Sequence, residues 1–232
     1  MKKKIKGPLS NEIFDFSLKE AHNFRGGISW RINKDIGLLE SDPDRDGDFD
    51  TIIPDSGSIS CVRNLMNNED YYNYVLTYSQ EFGVPASLVI ATICTENSAL
   101  NERKIGDDGR SFGLMQILYT TAQERGVGYT GAPNGLLDAD TNIKYGTKYI
   151  GTQKSNTFYD PPKVAAAYNP GSLAKCCSNL PPEEGNNCEN PDTYGNEWCL
   201  FSTSGHIDKF TKYWNAAVTE LRKALEEEES EE

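Results

Sequence analysis

The stretch Pro85-Ala86-Ser87-Leu88-Val89-Ile90-Ala91-Thr92-Ile93-Cys94-Thr95-Glu96 decides the fold. Pro85 suits the first turn of a helix, where a backbone N–H would have no partner anyway. From Leu88 to Cys94 the side chains are apolar nearly all round, so no face of that helix suits water. Such a helix belongs at the centre of a domain. Glu96 stands at its C-terminal end, one helical face along from Val89 and Ile93. A carboxyl there is either a structural ion-pair partner or a functional acid. Burial would raise its pKa, because desolvation disfavours the carboxylate. A general acid working near neutrality requires that shift.

Other helices are expected around this one. Tyr71, Val75, Tyr78 and Phe82 recur at helical spacing, and Gly83 closes that run. Thr121-Ala122-Gln123-Glu124 has the form of a capping box, with Gly126 as the stop. Asp140 reads as the cap of a helix carrying Ile143, Thr147 and Ile150. Asp160-Pro161 opens another through Ala165-Ala166-Ala167, ended by Pro170. Ile207, Phe210, Trp214, Val218, Leu221 and Leu225 form the stripe of a long last helix. The expected fold is mainly α. Residues 1–68 show no sustained periodicity and read as a small irregular N-terminal segment with an Asp-rich loop. Residues 69–225 read as the globular domain, with a Cys-rich insertion at 172–204, and 226–232 as an acidic tail.

The net charge of −12 argues against nucleic acid as a partner, since phosphates need a basic surface. Six of those charges lie in Glu226-Glu227-Glu228-Glu229-Ser230-Glu231-Glu232, which reads as a solvated, frayed end. No run of about eighteen apolar residues exists, so no transmembrane helix is expected. Met1-Lys2-Lys3-Lys4-Ile5-Lys6 is charged like a signal-peptide start, but no apolar region follows, and no signal peptide is visible.

Six cysteines are many for a cytosolic enzyme of this size. Cys176, Cys177, Cys188 and Cys199 share one short stretch rich in Pro, Asn and Gly, without paired CxxC units. A disulfide-stapled loop in an oxidising environment is expected there, in preference to zinc, for which His206 is the one imidazole nearby. Cys61 and Cys94 either form a further bridge or stay as buried thiols.

Asp42, Asp44, Asp46, Asp48 and Asp50 alternate, with Gly47 at the sixth position, as in the first half of an EF-hand calcium loop. Ile53 stands where the twelfth-position glutamate belongs, although Asp55 follows nearby. A structural calcium ion is set here against a plain acidic surface turn. No cofactor is expected for catalysis.

Four blocks then follow in order: Glu96 with Asn97-Ser98, Ser111-Phe112-Gly113-Leu114-Met115-Gln116-Ile117, Leu137-Asp138-Ala139-Asp140-Thr141-Asn142-Ile143, and Ala166-Ala167-Tyr168-Asn169. Together they resemble the soluble lytic transglycosylase family and its goose-type lysozyme relatives. The resemblance covers roughly residues 70 to 217 and implies a lysozyme-like domain that cleaves peptidoglycan outside the cytoplasm. It implies Glu96 as catalytic acid and Tyr168 beside it, orienting the carboxyl. It implies Ser98, Ser111, Met115, Gln116, Tyr168 and Asn169 as substrate contacts, whereas Leu114 and Ile117 read as core. Asp107, in Gly106-Asp107-Asp108-Gly109, matches the place where goose-type relatives position water, though Asp-Gly is also ordinary turn chemistry. Family members usually carry serine directly after the glutamate; Asn97 stands there instead, which puts contacts just after the helix in doubt.

Two reactions remain open. Attack by the muramic acid's own hydroxyl gives a 1,6-anhydro product; water held by a second carboxylate gives inverting hydrolysis. From a different class, a non-catalytic wall-binding or structural component in a phage virion or secretion apparatus would keep the fold, though retention of Glu96 and its blocks argues against decay. A metal-dependent amidase is disfavoured, because two histidines make a poor ligand set. Peptidoglycan is anionic, so an acidic protein must hold it by groove contacts and not by long-range steering.

Overall fold

A computed structural model describes residues 29–42, 46–169, 171, 173 and 204–230. Three short strands, β1 (Ser29–Ile32), β2 (Leu39–Asp42) and β3 (Asp50–Thr51), form an antiparallel sheet in that order. Helices α1 (Ser56–Asn67), α2 (Glu69–Phe82) and α3 (Ala86–Glu96) follow. A second small antiparallel sheet is made of β4 (Ile105–Gly106), β5 (Ser111–Phe112) and β6 (Ile117–Leu118). Then come α4 (Tyr119–Gln123), α5 (Ala139–Thr152), α6 (Lys154–Thr157), α7 (Pro161–Tyr168) and the long α8 (Ser204–Ser230).

The hub is α3. Every residue from Ala86 to Thr95 is buried, as its unbroken apolar surface requires. It lies along α8 and also touches α1, α2 and α7. The stripe expected on α8 is the buried one: Ile207, Phe210, Trp214, Val218 and Leu221 are all at 1% exposure or less. The Cys61–Cys94 disulfide fastens α1 to α3 and settles the choice left open between a bridge and two thiols. Closing a loop of that length restrains the unfolded chain by about 3–4 kcal/mol.

Several boundaries differ from expectation. Residues 29–67, within the stretch read as irregular, hold the first sheet and α1. The buried set of α1, Ser58, Cys61, Val62 and Leu65, has helical spacing but opens on a serine and a cysteine. Asp138, not Asp140, caps α5 by accepting from the Thr141 N–H at 2.9 Å. Asp140 instead accepts from the Tyr78 hydroxyl at 2.6 Å, tying α5 to α2. The Thr121–Glu124 box ends α4 instead of starting it, because β6 runs straight into that helix. Pro85 lies just outside α3, at its cap. Glu226 to Ser230 continue α8, with Glu226, Glu227, Glu229 and Ser230 exposed, so the acidic end begins as helix. Pro170, Asp44 and the cysteines 176, 177, 188 and 199 lie outside the described residues.

The first sheet is fastened to the helical body by side chains. Asn215 of α8 accepts from the Leu39 N–H at 2.8 Å and donates to the carbonyls of Leu39 and Ile52 at 2.9 and 2.7 Å. The Trp30 indole donates to Asp160 at 3.1 Å, the residue that caps α7.

Candidate active site

Glu96 is the residue at which α3 leaves the core. Its neighbour Asn97 holds that exit. The Asn97 amide donates to the carbonyls of Asn101 and Gly113 at 2.7 and 3.2 Å, and its oxygen accepts from the Asn101 N–H at 3.2 Å. At 3% exposure Asn97 is interior, so the departure from the family's serine is a structural staple and leaves Ser98, which is exposed, as the next surface residue.

Two ammonium groups close the end of the helix. Lys104 Nζ donates to the Glu96 carbonyl at 2.5 Å and Lys209 Nζ to the Thr95 carbonyl at 2.6 Å, complementing the negative end of the helix dipole. Both cations draw the Glu96 pKa down, and Asp107 pushes it up, but burial outweighs them and lifts the carboxyl to about 7. The carboxyl is enclosed without being sealed: its side chain keeps 17% of its surface.

His206, in the first turn of α8, lies with Nε2 3.5 Å from Glu96 Oε1. Its Nδ1 faces the Asn169 amide nitrogen, also at 3.5 Å. Burial, helped by Lys209, pushes the imidazole down to about 4. With the carboxyl raised to about 7 and the imidazole lowered to about 4, the pair is neutral between those two pH values, with the proton on Glu96. Because the Asn169 amide is a donor, the tautomer that suits it carries its proton on Nε2, facing the acid. Sequence reasoning had weighed His206 as a zinc ligand alone; it stands 110 positions from Glu96, and spacing gives no sign of the pairing.

The 111–117 block is arranged differently from expectation. Met115 is fully buried and Ser111 is at 1% exposure, so neither side chain lines an open groove. Gln116 donates to the carbonyls of Gly113 and Lys104 at 2.8 and 3.1 Å and accepts from the Ser111 hydroxyl at 3.2 Å. Its amide is thus engaged in holding the second sheet. Asn142 of α5 completes the clamp: it accepts from the Met115 N–H and donates to the carbonyls of Phe112 and Leu136, each at 2.8 Å. Gly113, at φ +77°, has to be glycine, since a Cβ would meet the Asn142 amide and the Leu136 carbonyl.

Tyr168 is buried, and its hydroxyl donates to the Met115 carbonyl at 2.9 Å. The phenol therefore anchors the 111–117 block; the proximity of Glu96 contributes, after burial, to raising its pKa. Asn169 is exposed beside His206. Asp107 is exposed in a single 3-10 turn at φ +48°, its carbonyl accepting from the Arg110 side chain at 2.8 Å. The structure thus brings Glu96, His206, Asn169, Tyr168 and Asp107 to one end of α3, with Ser98 at its rim, and withdraws Ser111 and Met115 into the interior.

Residues 73–177 match the family model of the Transglycosylase SLT domain. That segment is similar to the SLT domain family. The matched segment runs from within α2 through α7 and holds Glu96, the 111–117 block and Tyr168. A solved structure of the lytic transglycosylase Slt from Pseudomonas aeruginosa, in an inactive mutant form, is similar at 17% identity with a TM-score of 0.48. That similarity covers 67% of this chain and 24% of the other, so this chain spans about a quarter of that enzyme's length. His206 lies beyond the matched segment, on α8, so the Glu96 carboxyl meets a residue supplied from outside the match.

Among the described residues no helix is long and apolar enough to cross a membrane.

Proposed function

We propose that this protein cleaves the β-1,4 bond between N-acetylmuramic acid and N-acetylglucosamine in peptidoglycan, with Glu96 as the general acid, by transglycosylation. The observation that carries this reading is a carboxyl at the end of a buried helix, held near 7 by burial, inside an SLT domain. A neutral Glu96 gives its proton to the glycosidic oxygen as the bond to the muramic acid C1 breaks. Lys104 and Lys209 stabilise the carboxylate so formed. That carboxylate takes the proton of the muramic acid C6 hydroxyl as its oxygen bonds to C1, which closes the 1,6-anhydro ring and restores the acid. No water is consumed.

The work would take place outside the cytoplasm, where the glycan is and where the Cys61–Cys94 bridge is at home. A phage virion or a secretion apparatus is a setting such a chain would suit.

A second reading is hydrolysis in the manner of goose-type lysozymes. One observation favours it: Asp107 is exposed and within electrostatic reach of Glu96. Against it, the Asp107 backbone at φ +48° belongs to a local turn closed by Arg110, which needs no catalytic explanation. Mass spectrometry of digested glycan strands tests both readings. Anhydro ends, lighter by one water than reducing ends, are expected. Reducing ends that disappear in Asp107→Asn would transfer the protein to the hydrolases, and undigested glycan would leave a wall-binding component.

A further inference from the structure

Asp42 ends β2 in the interior, at 4% exposure, and its two carboxyl oxygens fare differently. Oδ2 accepts from the Gly47 N–H at 3.2 Å, so the carboxyl faces the Asp46-Gly47-Asp48 turn. Oδ1 is buried and has no hydrogen-bond partner among the described residues. A buried carboxylate oxygen without a donor is costly. No cation from the protein is paired with it among the described residues, in contrast to Glu40 on the same strand, which takes Arg31 at 2.8 Å and Asn33 at 2.6 Å.

The turn that Asp42 faces is built of oxygen donors. Asp46, Asp48 and Asp50 are exposed, and Asp46 already shapes the turn by accepting from the Asp48 N–H at 2.9 Å. Counting from Asp42 as first, these stand fifth, seventh and ninth, with Gly47 sixth at φ +95°. That order is the one in which a twelve-residue calcium loop presents carboxylates, a backbone carbonyl and its turning glycine. Among the described residues no three carboxylates, thiols or imidazoles converge as a finished cage. Binding would therefore draw the exposed aspartates onto the buried one.

We propose that Asp42 is the anchor of a site for a calcium-class divalent cation, with Asp46, Asp48 and Asp50 supplying further oxygens. The ion answers the unpartnered Oδ1 and offsets the crowding of five carboxylates within nine residues of sequence. Asp55 does not serve as the missing twelfth-position ligand, because it caps α1 by accepting from the Ser58 N–H at 2.7 Å and its hydroxyl at 2.9 Å. Ile53, in the twelfth position, is 72% exposed and carries no donor. Without the bidentate glutamate, affinity falls in the weak range of extracellular modules, with Kd about 10⁻⁴–10⁻³ M. The function is to lock the first sheet, which Asn215 and Trp30 fasten to α8 and to the cap of α7. The site shares no residue with the candidate active site, so this proposal stands whether or not the glycan reading does.

The test is calorimetric titration of the full chain with calcium chloride, magnesium chloride serving as the size control, alongside melting with calcium or with chelator. One calcium per chain is expected, with a melting temperature that rises with calcium concentration by mass action. Asp42→Asn should abolish both. Asp46→Asn, at an exposed position where folding is not at stake, should weaken binding at least tenfold. A melting temperature indifferent to calcium and chelator would overturn the site. So would calcium binding of unchanged strength in both variants, which would assign the ion to the acidic end of α8.

Discussion

At residues 111–117 the amides of Gln116 and Asn142 find partners on both their oxygen and their nitrogen, at 2.8–3.2 Å. At the end of α3 the Glu96 carboxyl, also enclosed, meets a neutral imidazole at 3.5 Å. Both regions came from the same ordered set of sequence blocks, and both were read as parts of one groove. The difference is in what burial does to each. Amides that are fully hydrogen-bonded rigidify the segment they hold. A carboxyl that is buried and loosely partnered has its protonation shifted and stays available to donate. The first region is scaffold for the second, and Tyr168, hydrogen-bonded to Met115 and close to Glu96, joins them.

The largest effect should come from removing the proton and keeping the shape. Glu96→Gln should lower the rate of glycan cleavage at least 10²-fold, the usual scale of general acid catalysis, as read by turbidity of purified peptidoglycan. The melting temperature should not fall. Above pH 7 it should rise, because the wild-type carboxyl is then ionised in a site that disfavours charge. The variant lysing walls at a third of the normal rate would break the comparison, since Glu96 would then be as structural as Asn142.

On the scaffold side, Asn142→Leu should destabilise the fold by about 3 kcal/mol, since it leaves two carbonyls and one N–H unpaired in the interior. Activity should fall with it, and thermal melting checks the first part. If Asn142→Leu melted like the wild type and lost activity all the same, the amide would be catalytic in its own right and the division between the regions would fail.

The two regions were not equally legible in the sequence. Helix α3 and its glutamate could be read because an all-round apolar surface has one solution, a central position. The α8 stripe and the Asp160 cap follow from period and from proline placement for similar reasons. The burial of Met115 and Ser111 was not legible, because a residue in such a block can face either the groove or the core, and for Met115 that choice is made by Asn142 and Gly146 of α5. The cap of α5 was misplaced because two aspartates two positions apart are equally good, and a tyrosine on another helix claims one of them. The meeting of His206 with Glu96 is not legible in the sequence, since the contact is tertiary and the 172–204 stretch intervenes.

The smallest effect and the sharpest discrimination concern His206. In the folded protein the Glu96 carboxyl titrates at about 7, against 4.5 for an ordinary one. Its neutral form therefore contributes stability that is fully present below 4.5 and lost as pH rises through 7. The gain is about 3 kcal/mol at most at roughly 1.4 kcal/mol per unit. His206 runs the other way: with its imidazole depressed to about 4 from 6.5, its contribution is present above 6.5 and lost as pH falls through 4. Both groups are neutral between about 4 and 7, and activity should be highest there. The upper limb marks loss of the proton to be donated. The lower limb marks an imidazolium 3.5 Å from the acid, whose charge opposes the positive charge developing on the sugar ring. His206→Gln keeps a neutral donor beside the carboxyl and removes the lower titration. It should cost only a few-fold in kcat near pH 6, leave KM close to its normal value, erase the limb near 4 and keep the limb near 7. A packing role for His206 would lower activity evenly across pH with both limbs in place, and that profile would return the imidazole to the scaffold.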